Sequence, residues 1–248
     1  MSKFEDFAKL HVAGDPLVLF NAWDPGSAAA VAKSGAKAIA TGSASVAMAN
    51  GFGDGQEVPI ELALANAARI VTAVELPVTV DFEGGYAADA AGLTANGGRL
   101  AQTGAIGCNF EDQVVGTDQL YDIADQAARI AALRAGVGEA FFINARTDLF
   151  LKAKPDRHDA TLADQAIERG KAYADVGASG LFIPGLADLA LVERICSAVS
   201  IPVNAMHLPG GPSRADWASA GVARVSHGPF PFMAMQKWLE AEARAALA

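Results

Sequence analysis

The chain has 248 residues, of which 52% are hydrophobic and 19% charged, and its formal net charge is −9. This length suits one large domain with a substantial core, and this composition excludes a disordered chain. The acidic balance, without a run of lysines or arginines, argues against nucleic acid and acidic membrane surfaces as partners. Local basic groups could still bind a small anion.

Cysteine usage and the absence of targeting segments indicate the compartment. The only cysteines are Cys108 and Cys196, so we expect no disulfide framework, and a reducing cytosol fits. Residues 1–11 are mixed and charged, without a signal-peptide core. No apolar stretch approaches the roughly 18 residues of a membrane helix. We therefore expect a soluble, cytoplasmic protein that does not enter membranes.

Strand-like and helix-like segments alternate along the whole chain. Short apolar runs predict buried parallel strands, and the amphipathic segments between them predict helices. The strands are predicted at residues 17–21, 38–42, 78–82, 107–111, 141–146, 180–184, 202–206 and 224–227. The helices are predicted at residues 26–34, 60–74, 88–102, 117–134, 161–175, 188–199, 213–219 and 230–246.

The number of strand–helix pairs predicts the fold class. Eight pairs in about 250 residues are typical of a (β/α)8 barrel. The alternative is an open doubly wound sheet, but no dinucleotide-binding glycine fingerprint follows the first strand. We therefore predict an α/β fold, a single-domain (β/α)8 TIM barrel over residues 1–248, whose chemistry lies where the strands end.

Two acidic clusters follow neighbouring predicted strands. DFEG spans residues 81–84 after PVTV, and FED spans residues 110–112 after GCN. Carboxylates at the ends of neighbouring parallel strands converge, and such a cluster is costly unless a positive charge lies in it. A hard divalent cation such as Mg²⁺ takes carboxylate oxygens and waters. The candidate ligands are Asp81, Glu83, Glu111 and Asp112, with solvated loop carboxylates as the alternative reading.

Other strand ends carry candidate binding groups. TGSAS at residues 41–45 is a small-residue turn whose N–H groups could cradle a carboxylate or phosphate. Arg146 suits bidentate capture of such an anion, or a structural ion pair with Asp148 or Glu111. Asp54, in the glycine-rich loop NGFGDGQE, either reaches a substrate oxygen or forms a turn.

Two further features remain open between binding and packing. His207 and His227 stand at predicted strand ends, where either could contact a ligand or be a hydrogen-bonded structural histidine. The last predicted helix, residues 230–246, carries much apolar surface for a terminal helix. It is expected to dock on this barrel or on that of a partner.

Six stretches, in order and with fitting spacing over most of the chain, carry a family resemblance. They are FNAWDPGSA, TGSAS, GFGDGQ, VDFEGGY, GCNFEDQ and INARTD. The chain resembles the isocitrate lyase/phosphoenolpyruvate mutase superfamily. The resemblance implies a (β/α)8 barrel in which Mg²⁺, with Mn²⁺ as a substitute, holds a 2-oxo or 2-hydroxy acid. It also implies chemistry at the carbon next to the carbonyl, through a pyruvate enolate.

Carried over to this chain, the resemblance implies roles for the strand-end residues. Asp81 is the principal metal ligand, and Glu83 and Glu111 support it directly or through water. The implied catalytic residues are Asp54, Glu111 and Arg146, the last as the anion clamp. The substrate-binding residues, with the strand-end candidate His207 added, are Gly42, Ser43, Ala44, Asp81, Arg146 and His207. Where the family often has Asp, this chain has Glu83.

One departure from the superfamily concerns the loop after the fourth strand. The lyases carry Lys-Lys/Arg-Cys-Gly-His there, and the phosphonomutases carry a gate with Lys and Asn. Here the loop reads EDQVVGTDQLYD, without Lys, Cys or His. This argues against authentic isocitrate or methylisocitrate cleavage and against phosphoenolpyruvate mutase activity. The proton donor stays open between Asp54, Tyr86, His207 and a metal-bound water.

The leading prediction is a Mg²⁺-dependent lyase that cleaves a C–C bond of a small 2-oxo or 2-hydroxy (di)carboxylic acid. One alternative is P–C bond chemistry, of the phosphonopyruvate hydrolase or phosphonomutase kind, although the loop offers no extra cation for a phosphonate. A non-catalytic oxo-acid binding protein is the other. The resemblance further implies a homo-oligomer, a dimer or tetramer, with the last helix exchanged between subunits.

Overall fold

The computed structural model describes residues 2–248 and contains one eight-stranded parallel sheet. Its strands are β1 (Leu17–Leu19), β2 (Ile39–Ala40), β3 (Val78–Asp81), β4 (Gly107–Glu111), β5 (Phe142–Arg146), β6 (Gly180–Phe182), β7 (Val203–Met206) and β8 (Arg224–Ser226). Neighbours follow the order β1-β8-β7-β6-β5-β4-β3-β2. All eight predicted strands are therefore confirmed, although several are shorter than predicted.

The sheet closes into a barrel between its first and last members. Just beyond β1 and β2, Ala22 and Thr41 form a parallel bridge. The Ala22 N–H donates to Ala40 O at 2.8 Å, and the Gly42 N–H donates to Ala22 O at 3.3 Å. These bonds confirm the predicted (β/α)8 TIM barrel and exclude the open doubly wound sheet.

Helices surround the barrel. They are α1 (Lys3–Lys9), α2 (Pro25–Lys33), α3 (Ser43–Ala49), α4 (Ile60–Ala73), α5 (Ala90–Gln102), α6 (Ile123–Val137), α7 (Leu149–Lys152), α8 (Ala160–Asp175), α9 (Leu189–Ala198), α10 (Arg214–Ser219) and α11 (Phe230–Leu247), with a 3₁₀ turn at Pro155–Arg157. Local chemistry fixes several starts. The side chains of Asp24, Asp89 and Asp159 accept bonds from the first-turn N–H groups of α2, α5 and α8. None of the described helices is long and apolar enough to cross a membrane.

The hydrophobic core consists of a main cluster and a smaller cluster at one end of the barrel. Most buried apolar side chains lie between the strands and the outer helices. A separate cluster joins Phe7 of α1 to Leu17, Ala38 and Phe142, which lie where β1, β2 and β5 begin. Helix α1 thus covers the end at which the strands start, so the opposite end is left for the functional groups.

The helix predicted at residues 117–134 begins only at Ile123. Gly116 has a φ of 78°, and Gln113 and Leu120 form an antiparallel bridge. The Tyr121 N–H donates to Asp112 O at 2.8 Å. The loop after β4 is therefore a short closed turn, because its backbone bonds are made within it. The short helices α1, α3 and α7 were not predicted, because each is too brief to show a helical period.

Candidate active site

Three predicted site residues end neighbouring strands. Asp81, Glu111 and Arg146 are the last residues of β3, β4 and β5. The register pairs Asp81 with Asn109 and Glu111 with Arg146. The carboxylates and the guanidinium therefore meet at the open end of the barrel, as the sequence predicts.

Arg146 lies between two carboxylates. Its Nη1 is 2.9 Å from Glu111 Oε2, and its Nη2 donates to Asp148 Oδ2 at 2.9 Å. The Nε donates to the other Asp148 oxygen. Burial lowers the pKa of Arg146, but the charges of Glu111 and Asp148 more than offset it and hold the pKa above its ordinary value. The ion pairs of Arg146 with Glu111 and with Asp148, each expected as an alternative to anion capture, are therefore both present.

Asp81 is held by the residues that start α3. Its Oδ2 accepts from the Ser43 N–H at 3.1 Å and from Ser43 Oγ at 3.0 Å. Its Oδ1 accepts from Asn109 Nδ2 at 3.4 Å. The TGSAS stretch is therefore not a plain turn, since Gly42 caps α3 and Ser43 begins it. The Ala44 N–H lies in that first turn, where N–H groups lack partners within the helix.

Glu83 turns away from the strand direction. Its φ is 50°, so the pattern of β3 does not persist through it. Its Oε1 accepts from the N–H groups of Gly55 (3.0 Å) and Gln56 (2.7 Å), and its Oε2 accepts from Tyr86 Oη at 3.0 Å. Burial and the charge of Asp81 raise the pKa of Glu83 to about 7. Glu83 therefore fastens the glycine-rich loop over the site.

The backbone is strained at the residues that hold the glycine-rich loop. Gln56, Glu83 and Tyr86 are the described residues other than glycine that have positive φ, at 63°, 50° and 57°. The Tyr86 N–H also donates to Gln56 Oε1. Backbone strain of this kind persists only where surrounding contacts fix it, and it is common at functional sites.

The cluster carries more negative than positive charge. Burial and the charge of Asp81 raise the pKa of Asp54. Burial also raises the pKa of Glu111, and the charge of Arg146 acts in the opposite direction. The acidic groups are Asp54, Asp81, Glu83 and Glu111, and Arg146 is ion-paired with Glu111 among them. Such a set favours a further cation.

The arrangement fits Mg²⁺ in one particular way. Within residues 2–248, no three His, Cys, Asp or Glu side chains are grouped so that they could hold an ion together. Mg²⁺ commonly keeps several waters and takes one or two carboxylates. Asp81 fits as the direct protein ligand. Glu83 and Glu111 fit as acceptors for metal-bound waters, because their own partners already hold them in place.

One cavity, called the entrance cavity, borders the acidic cluster through Asp54. This cavity of about 400 Å³ opens between the glycine-rich loop and the turn after β4, lined among others by Asp54, Gln113 and Lys152. The Lys152 Nζ donates to Thr117 O at 3.1 Å and lies 3.6 Å from Asp118 Oδ1. Asp54 is therefore the cluster carboxylate that lines the entrance.

The family follows from comparison with known proteins. The model of the phosphoenolpyruvate phosphomutase family matches residues 7–247. The chain belongs to this family. Its membership confirms the resemblance to the isocitrate lyase/phosphoenolpyruvate mutase superfamily that the motifs indicate.

Relatives of this family member span several activities. A solved structure of a candidate phosphonomutase from Burkholderia cenocepacia J2315 is 46% identical, with a TM-score of 0.96 and 98% of each chain covered. The uncharacterized protein Rv1998c of Mycobacterium tuberculosis is 35% identical, over 92% of this chain and 83% of that protein. The 2-methylisocitrate lyase of Escherichia coli is 29% identical, over 56% of this chain and 47% of that protein.

The structure shows partners outside the acidic cluster for two predicted residues. Asp112 is fully buried, and it accepts from Arg169 Nη1 (3.0 Å), Tyr173 Oη (3.0 Å) and the Asp148 N–H (2.9 Å). It thereby supports the loop that holds Arg146, and the metal-ligand reading is not supported. The His207 ring stacks on His227 with centroids 4.4 Å apart.

Several residues of the site gave no usable signal in the sequence. The sequence indicates Asp148 as a strand-end residue and as an ion-pair partner of Arg146, but it indicates no role for Gln56, Asn109 or Arg169. Arg169 lies on α8, where an arginine reads as a solvated helix residue. Asn109 lies inside a strand among apolar neighbours. A polar residue in a buried strand is the one signal that could have identified it.

Proposed function

We propose that this family member is a Mg²⁺-dependent lyase that cleaves a C–C bond of a small 2-oxo or 2-hydroxy (di)carboxylic acid through a pyruvate-like enolate. The observation that carries the proposal is the pairing of Glu111 with Arg146 beside Asp81. This arrangement offers one face for a cation and an adjacent face for an anion. Lyases and mutases of the superfamily are consistent with it.

Each residue has a defined task in this proposal. Mg²⁺ at Asp81 would supply Lewis-acid stabilisation of negative charge on the substrate oxygens. Arg146 binds the carboxylate with the N–H groups that Asp148 and Glu111 leave unused. The Ser43 N–H already donates to Asp81, and the Ala44 N–H in the same first turn of α3 adds a donor for the substrate. Together these donors favour the enolate over the ground state.

Asp54 is our candidate for the proton carrier. It lines the entrance cavity, and it lies on the loop that Glu83 fastens. Burial and the charge of Asp81 raise its pKa, which favours a carboxyl able to hold a proton at its oxygen. The His207 contacts with His227 and Phe230 make it a weaker candidate.

P–C bond chemistry is the second candidate. The family description and the 46% identical candidate phosphonomutase favour it. A phosphonate carries more charge than a carboxylate and calls for additional cations. Lys152, the cation that lines the entrance, is engaged by Thr117 and Asp118. For that reason we place the C–C reaction first.

We also propose a homo-oligomer in which α11 docks on a neighbouring subunit. Within α11 only Pro231 and Phe232 are buried, while Trp238 is 62% and Leu239 53% exposed. An apolar groove of about 700 Å³ runs outside the barrel along α1, β1 and α2. The groove lies far from the acidic cluster and suits an apolar helix.

A product-release screen tests the proposal. The purified protein, with Mg²⁺ or with EDTA, is offered isocitrate, methylisocitrate, other malate-type acids, oxaloacetate and phosphonopyruvate. EDTA-sensitive release of pyruvate, glyoxylate or another carbon fragment is expected. Phosphate release from phosphonopyruvate would establish the second candidate instead. Ligand-induced thermal stabilisation without any turnover would point to a binding protein.

A further inference from the structure

A charged side chain crosses the interior of the barrel beneath the acidic cluster. Arg224 begins β8 and is 1% exposed. Its Nη2 donates to Asn109 Oδ1 at 3.2 Å, on the far strand β4, and its Nε donates to Ser226 Oγ at 3.3 Å. The usual filling of a barrel interior is branched apolar side chains. An arginine at this place therefore calls for a reason beyond packing.

The charge of Arg224 has no direct counter-ion. No acidic side chain within residues 2–248 forms a salt bridge with it, and its buried Nη1 has no hydrogen-bond partner there. Burial lowers the pKa of Arg224 to about 9, and the negative charge of Asp81 acts in the opposite direction. The guanidinium is therefore still charged at neutral pH. An unpaired buried charge destabilises a fold, so replacement by an apolar side chain of similar volume is often harmless.

One amide connects Arg224 to the site. Asn109 accepts from Arg224 with its Oδ1 and donates from its Nδ2 to Asp81 Oδ1 at 3.4 Å. Asn144 Nδ2 also donates to Asn109 Oδ1, at 2.8 Å. The amide is therefore held on both sides, and its orientation survives the loss of Arg224. Arg224 therefore contributes only a positive charge to Asp81, from its place beneath the acidic cluster.

We propose that the buried charge of Arg224 offsets that of Asp81 and weakens the hold of the acidic cluster on a divalent cation. This inference rests on the proposed function in one respect, that Asp81 binds Mg²⁺. A purely structural arginine would have no effect of this sign.

Calorimetric titration of metal-free protein with Mg²⁺ alone tests the proposal. For Arg224→Met, we expect the Mg²⁺ dissociation constant to fall about tenfold, because a like charge near the cation is gone. Arg134→Met is the matched control. That arginine lies on α6, is only partly buried, and donates to Gly138 O and Gly177 O, away from Asp81.

Each outcome of the Mg²⁺ titrations either supports or overturns the proposed role of Arg224. Unchanged or weaker Mg²⁺ binding in Arg224→Met, with its melting temperature retained, would overturn the proposal. The same holds if Arg134→Met tightens Mg²⁺ binding equally. If Arg224→Met does not fold, Arg224→Gln replaces it with the same expectation. Asp81→Asn separates the two levels, because Mg²⁺ binding that survives this change contradicts the proposed metal site itself.

Discussion

Glu111 and Arg146 are register partners on adjacent strands, and their side chains form an ion pair with Nη1 and Oε2 2.9 Å apart. The pair is largely buried, at 16% and 7% side-chain exposure. Asp148 holds the other edge of the same guanidinium. Arg146 is thus fixed before any substrate arrives, and its remaining donors face a prescribed direction.

Replacing Arg146 should therefore affect binding and stability together. Arg146→Gln leaves the buried carboxylates of Glu111 and Asp148 without their partner, which costs about 3 kcal/mol of unfolding free energy. Urea unfolding measures this. Arg194→Gln, which breaks an exposed pair with Asp164, is the control and should change stability by less than about 1 kcal/mol. Equal losses in the two variants would contradict the role of burial.

Glu83 should control the glycine-rich loop. Glu83→Ala removes the acceptor of the Gly55 and Gln56 N–H groups, so we expect faster amide hydrogen exchange at those two positions. Glu57→Ala is the matched control, since Glu57 accepts only from the Gly53 N–H in the same loop. Exchange at Gly55 and Gln56 that stays at the parent rate in Glu83→Ala would show that other contacts hold the loop.

His11 should make the fold sensitive to acid. Burial is the larger cause, and the charge of Arg224 the smaller one, that together lower the pKa of His11 from 6.5 to about 3. The folded state then binds fewer protons than the unfolded state, so stability is complete above about pH 6.5 and falls as the pH drops towards 3. Between pH 6.5 and 4.5 the loss is about 2 kcal/mol.

The variant His11→Phe tests this expectation. It keeps an aromatic ring against Phe7 and Phe142 but removes the titrating group. Unfolding free energies at pH 7.5 and pH 4.5 should differ less in the variant than in the parent, by about 2 kcal/mol. If both proteins lose the same stability on acidification, His11 is not the source.

The exposed apolar face of α11 should bind another subunit. Light scattering should give a multiple of the 25.5 kDa chain mass. Trp238→Glu places a charge on that face and should shift the protein towards the monomer. Glu242→Gln, at an exposed position of the same helix, should keep the assembly. A parent protein with the mass of one chain would refute the proposed exchange of α11.

The strands and the fold were predictable because short apolar runs alternate with amphipathic segments along the chain, as strands that are buried on both faces require. The acidic residues at the ends of β3 and β4 followed from the same placement. The direction of each side chain did not. The positive φ of Glu83 changes the direction of its side chain from that expected in a strand. Asp112 is buried, where Arg169 donates to its carboxylate. Both depend on distant partners that local sequence does not show.

The turn after β4 shows the same limit. Its amphipathic residues predicted a helix from Thr117, but Gln113 and Leu120 form a backbone bridge that closes a turn, so the helix begins later in the chain. The contribution of Arg224 was invisible for a related reason, since an arginine that begins a short strand gives no sign that it spans the barrel. Partners that are far apart in the chain decide these features.

Oxalate binding, measured by calorimetry, tests the central claim that Asp81 and Arg146 hold an enolate-like dianion with Mg²⁺. Oxalate imitates the charge and shape of a pyruvate enolate. We expect oxalate to bind the parent protein with Mg²⁺, but not with EDTA, and not to bind Asp81→Asn with Mg²⁺ present. Oxalate binding that is equally strong in EDTA, or in Asp81→Asn, would contradict it.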